Sequence, residues 1–259
     1  MIRRSCFALL LLLLAGCGSP TPATVVPSTI RVDASNEQVD RNWAHAEELY
    51  RAGRWASAAT ALERLGLEFT SGDPRMARAR FYLAECYLAM KSHLQAVREF
   101  RRVSDEMPSD PLAPDALLRA GDAFGELWRR PELDPTYAQT AISTYQEVSN
   151  RYPGTHASAM AVLRINELND RLAAKQYRAA LYYLRYKADD SAILYIKDLA
   201  SAYPKATVVP EALVTLIQIY KRLGYSEDIK ETCVYLRRFH PQGAGVAEAC
   251  AAPAAPGAS

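Results

Sequence analysis

The sequence predicts an all-α fold, a solenoid of about five helix–turn–helix repeats, because three features recur along the chain. A two-helix pattern repeats with a period of about 37 residues. The first helix of each pair carries a small residue three positions before a large apolar one, as Ala46 stands before Leu49. The second helix carries an alanine, two apolar positions and then a proline. Helix pairs of this kind bury their apolar faces by stacking on their neighbours.

Residues 1–16 are predicted to be a removable export signal. Arg3 and Arg4 precede an apolar run from Cys6 to Ala15, which is shorter than the about 20 residues that a membrane-spanning helix needs. Removing this segment takes away two arginines and no acid, so the rest of the chain has equal numbers of basic and acidic side chains. Such a balance gives no bulk attraction for nucleic acid, and we expect no nucleic-acid partner.

The residues that end the apolar run, Leu14-Ala15-Gly16-Cys17, resemble the lipobox of bacterial lipoproteins. That resemblance implies cleavage before Cys17, lipidation of its sulfur and attachment to a membrane, which several acyl chains together make stable. An ordinary secretory signal followed by a chance cysteine is the alternative, since small residues also precede ordinary cleavage sites. Gly18 stands where lipoproteins of the inner membrane commonly have Asp. The implied location is therefore the outer membrane, on its periplasmic face.

Two terminal segments are predicted to lack a fold. Residues 17–37 contain three prolines and many Ser and Thr with no helical period, which indicates a flexible tether. Residues 244–259 are mostly Ala, Gly and Pro with almost no charge, which indicates a disordered tail. A Cys233–Cys250 disulfide is chemically allowed outside the cytoplasm, but a disordered tail gives no reason to expect it.

The repeated positions have mechanical roles. The alanine of the second helix lets two antiparallel helices approach to about 8 to 10 Å between axes, and the large residues fill the seam beside it. Proline ends the second helix, because it lacks the N–H that would continue the backbone ladder. The pattern is most complete in three copies: Ala96, Phe100, Val103, Pro108; Ala141, Tyr145, Val148, Pro153; and Ala192, Ile196, Leu199, Pro204.

This spacing resembles the tetratricopeptide repeat (TPR), whose small–large–Gly–aromatic–Ala order is matched by the segment from Ala46 to Ala58. Repeats one to three are assigned to residues 38–155 and repeats four and five to residues 156–243. The absence of Pro and Gly from His156 to Lys187 predicts an unusually long first helix in repeat four.

Further residues resemble the BamD family, the lipoprotein of the outer-membrane β-barrel assembly machine. They are the lipobox, the Tyr-Pro pairs at 152–153 and 203–204, and the stretch from Leu168 to Ala192. The resemblance implies no catalysis and no cofactor. It implies that the C-terminal half binds a BamA-like barrel protein, beside other assembly-machine lipoproteins, and that the N-terminal repeats recognise the C-terminal signal of unfolded outer-membrane proteins.

TPR geometry turns one stripe of each first helix toward the concave surface, and the sequence predicts two kinds of binding residue there. In repeats one and two they are aromatic and acidic and suit an extended client peptide: Trp43, Glu47, Tyr50, Phe81, Glu85 and Leu88. In repeats four and five they end in cations and suit an acidic partner: Tyr177, Arg185, Gln218, Lys221 and Arg222. The alternatives are packing between repeats for the aromatic residues and a solvated face for the cations.

Other classes of protein fit the sequence less well. The four histidines are isolated from one another, and the chain has no HExxH, Gly-x-Ser-x-Gly or phosphate-binding Gly loop, so we expect neither an enzyme nor a metal site. The alternative function is a TPR lipoprotein of another envelope system, such as a pilus or secretin pilotin or a cell-division coordinator.

Overall fold

The computed structural model describes residues 29–70, 72–130 and 132–251, with side chains from residue 36 onward. These residues form eleven α-helices and no strand. The helices are α1 (Thr29–Arg51), α2 (Trp55–Glu68), α3 (Met76–Ala89), α4 (His93–Glu106), α5 (Ala113–Leu127), α6 (Thr136–Arg151), α7 (His156–Arg185), α8 (Asp189–Ala202), α9 (Val209–Leu223), α10 (Ser226–Phe239) and α11 (Val246–Ala249).

Helices α1 to α10 form five antiparallel pairs, and each helix packs mainly on the next helix in the chain. The first helices of successive pairs also touch one another, since α3 contacts α5 and α5 contacts α7. This arrangement confirms the predicted TPR solenoid. The unusually long first helix of repeat four is also confirmed, because α7 has 30 residues without a break.

The seam within each pair lies where the small residues predict it. Ala96 and Ala141 both have 0% of their surface exposed. In repeat three the seam is closest at Gly121, where an added Cβ would lie 2.4 Å from Cε1 of Tyr145. A side chain there would require the tyrosine ring to move, so close packing rather than turn geometry explains this glycine.

The predicted helix ends are also present. Gly53 and Gly224 follow α1 and α9 with positive φ angles of 68° and 77°, which glycine adopts without strain. Each second helix from repeat two onward stops two residues before its proline: Pro108, Pro153, Pro204 and Pro241.

Both segments predicted to lack a fold include residues that are helical in the structure. Helix α1 already begins at Thr29, so the tether boundary at residue 37 is wrong. The reason is that Pro27 is the last Pro or Gly before Gly53, and one helix runs through the whole interval. At the other end residues 244–251 are ordered, with α11 and a Cys233–Cys250 disulfide. Residues 17–28 and 252–259 lie outside the described residues.

The loop between α5 and α6 is held against α7. Trp128 is buried, and the guanidinium of Arg171 lies 4.7 Å from its ring centroid and donates to its carbonyl oxygen at 2.8 Å. Lys175 Nζ donates to the carbonyl oxygen of Leu133 at 2.6 Å. The middle of the long helix α7 therefore supports this loop. Among the described helices, none is long and apolar enough to cross a membrane.

Candidate binding surfaces

An aromatic stack joins the first helices of repeats one and two. The ring of Tyr82 lies between Trp43 and Tyr50, with centroid distances of 6.2 and 4.2 Å and interplanar angles of 4° and 11°. All three side chains are half-buried, and burial raises the pKa of Tyr50. Trp43 and Tyr50 thus pack between repeats while keeping part of each ring in solvent. We call these three residues the aromatic stack.

Acidic groups flank the aromatic stack. Glu85 accepts two hydrogen bonds from the guanidinium of Arg119 in repeat three, at 2.8 and 2.9 Å, and this pairing raises the pKa of Arg119. Glu47 pairs with Arg51 one turn along α1 at 3.2 Å. The structure therefore brings Glu47 and Glu85 to the same end of the molecule as the aromatic stack, but Glu85 is already engaged by an arginine of this chain.

One residue predicted to line the client groove belongs to the core: Leu88 is buried. Phe81 is half-buried and packs edge-on against buried Phe100 of α4, with ring centroids 5.2 Å apart. Both stand on the face of α3 that carries the buried Ala84, three residues before it and four after it. Trp43 and Tyr50 hold the same two places relative to the buried Ala46 of α1, yet both keep part of each ring exposed. Tyr82, which stacks on both of them, was not among the predicted site residues.

The same register explains an error at the C-terminal end. Tyr177 stands three residues before the buried Ala180, is itself buried, and shares a hydrogen bond of 2.8 Å with the hydroxyl of Thr215 on α9. It cannot contact a partner directly. Arg185 and Gln218 lie on the neighbouring faces of their helices and are exposed, as predicted for docking residues.

The two remaining predicted cations are already engaged within the chain. Arg222 forms an ion pair with Asp189 at the start of α8, with the closest atoms 2.5 Å apart. Lys221 Nζ donates to the backbone carbonyl oxygen of Ala249 at 2.7 Å. Of the four exposed candidates, only Arg185 and Gln218 lack such a contact among the described side chains.

Two tyrosines beside Arg185 were not predicted. Tyr182 and Tyr186 are 56% and 65% exposed, and their ring centroids lie 4.8 Å apart. They stand three residues before and one residue after Arg185, at the end of α7. Exposed tyrosine beside arginine is a frequent combination at protein interfaces. The helical pattern could have indicated both tyrosines, because helix positions beside the seam face are exposed to solvent.

A pocket of about 410 Å³ lies between α5 and α7, midway between the two ends. Asp122 accepts hydrogen bonds there from Arg119 and from the hydroxyl of buried Tyr145, at 3.2 and 2.8 Å. Arg164 of α7 approaches the same carboxylate at 3.5 Å. These contacts connect repeats three and four, and the pocket's charges are used in packing.

Among the residues with described side chains, no group of three or more His, Cys, Asp and Glu residues is placed to hold a metal ion. The one free cysteine of the described chain, Cys86, is buried, and burial raises the pKa of its thiol to about 11. What the structure offers is two chemically different surfaces on one repeat scaffold. The described part of the molecule is thus an all-helical TPR scaffold.

The chain belongs to a family of outer membrane lipoproteins, because the family model YfiO, described as an outer membrane lipoprotein, matches residues 35–235. It is 26% identical over 138 residues to the outer membrane protein assembly factor BamD of Caulobacter vibrioides, covering 53% of this chain and 45% of that protein. It is 25% identical over 234 residues to BamD of Neisseria meningitidis, covering 83% of this chain and 85% of that protein. The chain therefore spans less than half of the first relative and most of the second.

Solved structures similar to this chain include other TPR proteins. A thermophilic TPR protein of Thermus thermophilus aligns with 82% of this chain and 98% of its own length, at 17% identity and a TM-score of 0.36.

Proposed function

We propose that this protein is a lipid-anchored scaffold and client-recognition subunit of the machine that assembles β-barrel proteins in the outer membrane. The observation that carries the proposal is the chemical difference between the two ends of the solenoid, together with membership of the outer membrane lipoprotein family. A subunit that connects a client to a barrel-forming protein needs two separate binding surfaces, and repeat scaffolds provide them without catalysis.

The client end consists of the aromatic stack with Glu47 beside it. The three rings are held by one another and remain partly exposed, so that an extended peptide with bulky apolar side chains gains contact area on a preformed surface. Rigid aromatic side chains lose little conformational freedom when they bind, which favours them as anchors. We therefore assign the aromatic C-terminal segment of unfolded outer-membrane proteins to this surface.

The partner end consists of Arg185, Tyr182, Tyr186 and Gln218. Arg185 has no ion-pair partner among the described side chains, and the adjacent rings are solvent-exposed. A folded partner that presents a carboxylate would pair with the guanidinium and cover both rings. We assign this surface to the BamA-like barrel protein of the same organism.

The proposed anchor is the lipidated Cys17, which lies outside the described residues. Cys17→Ala is expected to leave an uncleaved precursor or a protein that is absent from the outer-membrane fraction. Cys17→Ser has the closest shape without the thiol and serves as the matched variant. If either variant is still processed and still sediments with the outer membrane, the lipid anchor is not at Cys17.

Affinity purification from detergent-solubilised outer membrane tests the assigned machine. Co-purification of a BamA-like barrel protein is the expected result, and loss of that protein from an Arg185→Glu sample ties it to the partner end. Arg54→Glu is the control, since Arg54 is an exposed arginine at the other end of the molecule. Recovery of a secretin or of division proteins instead would replace the proposal with the alternative function.

A further inference from the structure

The chain turns back after α10 and runs along α9. An added Cβ at Gly243 would lie 2.9 Å from Cβ of Pro210, in the first turn of α9. Gly245 has φ 74° and stands beside Val214, one turn further along. Only glycine fits the first place without a clash and the second without backbone strain. Residues 243–250, which we call the C-terminal clasp, are therefore shaped to fit this helix.

One disulfide and two hydrogen bonds hold the end of the C-terminal clasp. The disulfide joins Cys250 to Cys233 of α10. Lys221 Nζ, in the last turn of α9, donates to the carbonyl oxygen of Ala249 at 2.7 Å, and the guanidinium of Arg237 on α10 donates to the carbonyl oxygen of Cys250. Ala249 and Cys250 are buried although they are almost the last described residues.

The C-terminal clasp continues the stacking of the repeats. Helix α11 contacts α9 as α5 contacts α3 and α7 contacts α5, so it occupies the row of first helices. Val246 of α11 is 2% exposed and belongs to the core cluster of the last repeats. A repeat array needs such a cap because its final repeat otherwise exposes an apolar face. One of the hydrogen bonds that hold this cap comes from Lys221, which belongs to the predicted docking residues.

We propose that the C-terminal clasp is a redox-controlled cover of α9 that keeps the Lys221 ammonium engaged with the carbonyl oxygen of Ala249 while the Cys233–Cys250 disulfide is formed. This inference rests on the proposed function of the partner end. Reduction by a dithiol breaks the S–S bond, transfers two electrons and two protons to the cysteine pair, and leaves the reductant as a disulfide. The clasp can then leave α9, and Lys221, without its acceptor on Ala249, can pair with a carboxylate of the partner.

The first arm of the test needs no partner. Hydrogen exchange is measured on the full lipidated protein in detergent. The protein carries Cys86→Ala, so that Cys233 and Cys250 are the only cysteines of the described chain. Dithiothreitol is expected to raise the exchange rate of residues 246–250 at least about tenfold, a change of about 1.4 kcal/mol in opening free energy. The amides of α3 are the internal control and should not change.

The second arm measures docking to the periplasmic region of the BamA-like protein by titration. Reduction should raise the affinity by about two- to fivefold, the range for one exposed ion pair. In the Lys221→Gln variant, reduction should still speed the exchange of residues 246–250 but should no longer raise the affinity for the partner. Cys250→Ser should behave as reduced protein without reductant.

Each outcome decides between the two proposals. Unchanged exchange after reduction overturns the redox-controlled cover whether or not the partner binds. Faster exchange with unchanged or lower affinity also overturns it and leaves a cap that only stabilises repeat five. Absence of docking in every redox state contradicts the proposed partner end, and the exchange arm then still decides whether the clasp opens.

Discussion

The two ends of the solenoid use their surface residues in different ways. At the N-terminal end the rings of Trp43, Tyr50 and Tyr82 pack on one another and remain partly exposed, so the same residues hold two repeats together and present a surface. At the C-terminal end Lys221 and Arg222 are engaged by this chain's own groups, and exposed residues beside them remain free. A binding surface in a repeat protein is thus inseparable from the packing of the repeats.

The largest expected effect separates packing from surface at the N-terminal end. Phe100→Ala should lower the free energy of unfolding by about 3 kcal/mol or more, because its side chain has 0% of its surface exposed. Tyr82→Ala removes a stacked ring that is only partly buried, and it should cost clearly less. Urea unfolding of the two variants measures this difference. Equal losses would mean that the aromatic stack is as much a core element as Phe100.

An intermediate effect tests the scaffold that both ends share. Ala96→Leu or Ala141→Leu would overpack a seam with no exposed surface, and each should cost about 1 to 3 kcal/mol. Thermal melts of the two variants check this expectation, with the exposed Ala52→Leu as the control. Unchanged melting temperatures would show that these alanines do not set the spacing of the helices.

The smallest expected effect is a pH dependence confined to repeats two and three. Burial lowers the pKa of His93 below its ordinary value of 6.5, and Glu126, 3.8 Å away, opposes that shift only in part. The unfolded chain therefore takes up a proton at His93 before the folded chain does, so stability falls as the pH drops from about 7 toward 5. His93→Gln should reduce the loss of stability between pH 7 and pH 5, as measured by urea unfolding at both pH values. An unchanged slope would show that other groups cause it.

The sequence was sufficient for features set by local chemistry. Prolines, positive-φ glycines and the seam alanines each act through their own backbone or volume, so their places could be predicted without neighbours. The prediction of site residues depended on which face of a helix each residue occupies, and a shift of one position turns a side chain from the seam toward the surface. Leu88 and Tyr177 share a face with the seam alanine of their helix and are buried, whereas Trp43 and Tyr50 share a face with Ala46 and keep part of each ring exposed.

The C-terminal clasp could not be predicted from composition. Its Ala- and Gly-rich residues look unstructured because they bury little apolar area by themselves. They are ordered through Lys221, Arg237 and Cys233, which stand 13 to 28 residues earlier in the chain. The early start of α1 is the opposite case, because the absence of helix breakers after Pro27 was visible in the sequence.

The measurement that tests the two-surface account most directly is a double dissociation. A labelled peptide ending in Phe and the periplasmic region of the BamA-like protein are each titrated against the parent, Trp43→Ala with Tyr50→Ala, and Arg185→Glu. The account predicts that the aromatic variant loses peptide affinity and keeps partner docking, while Arg185→Glu does the reverse. Unchanged peptide affinity in the aromatic variant would contradict it and leave those rings with a role in packing alone.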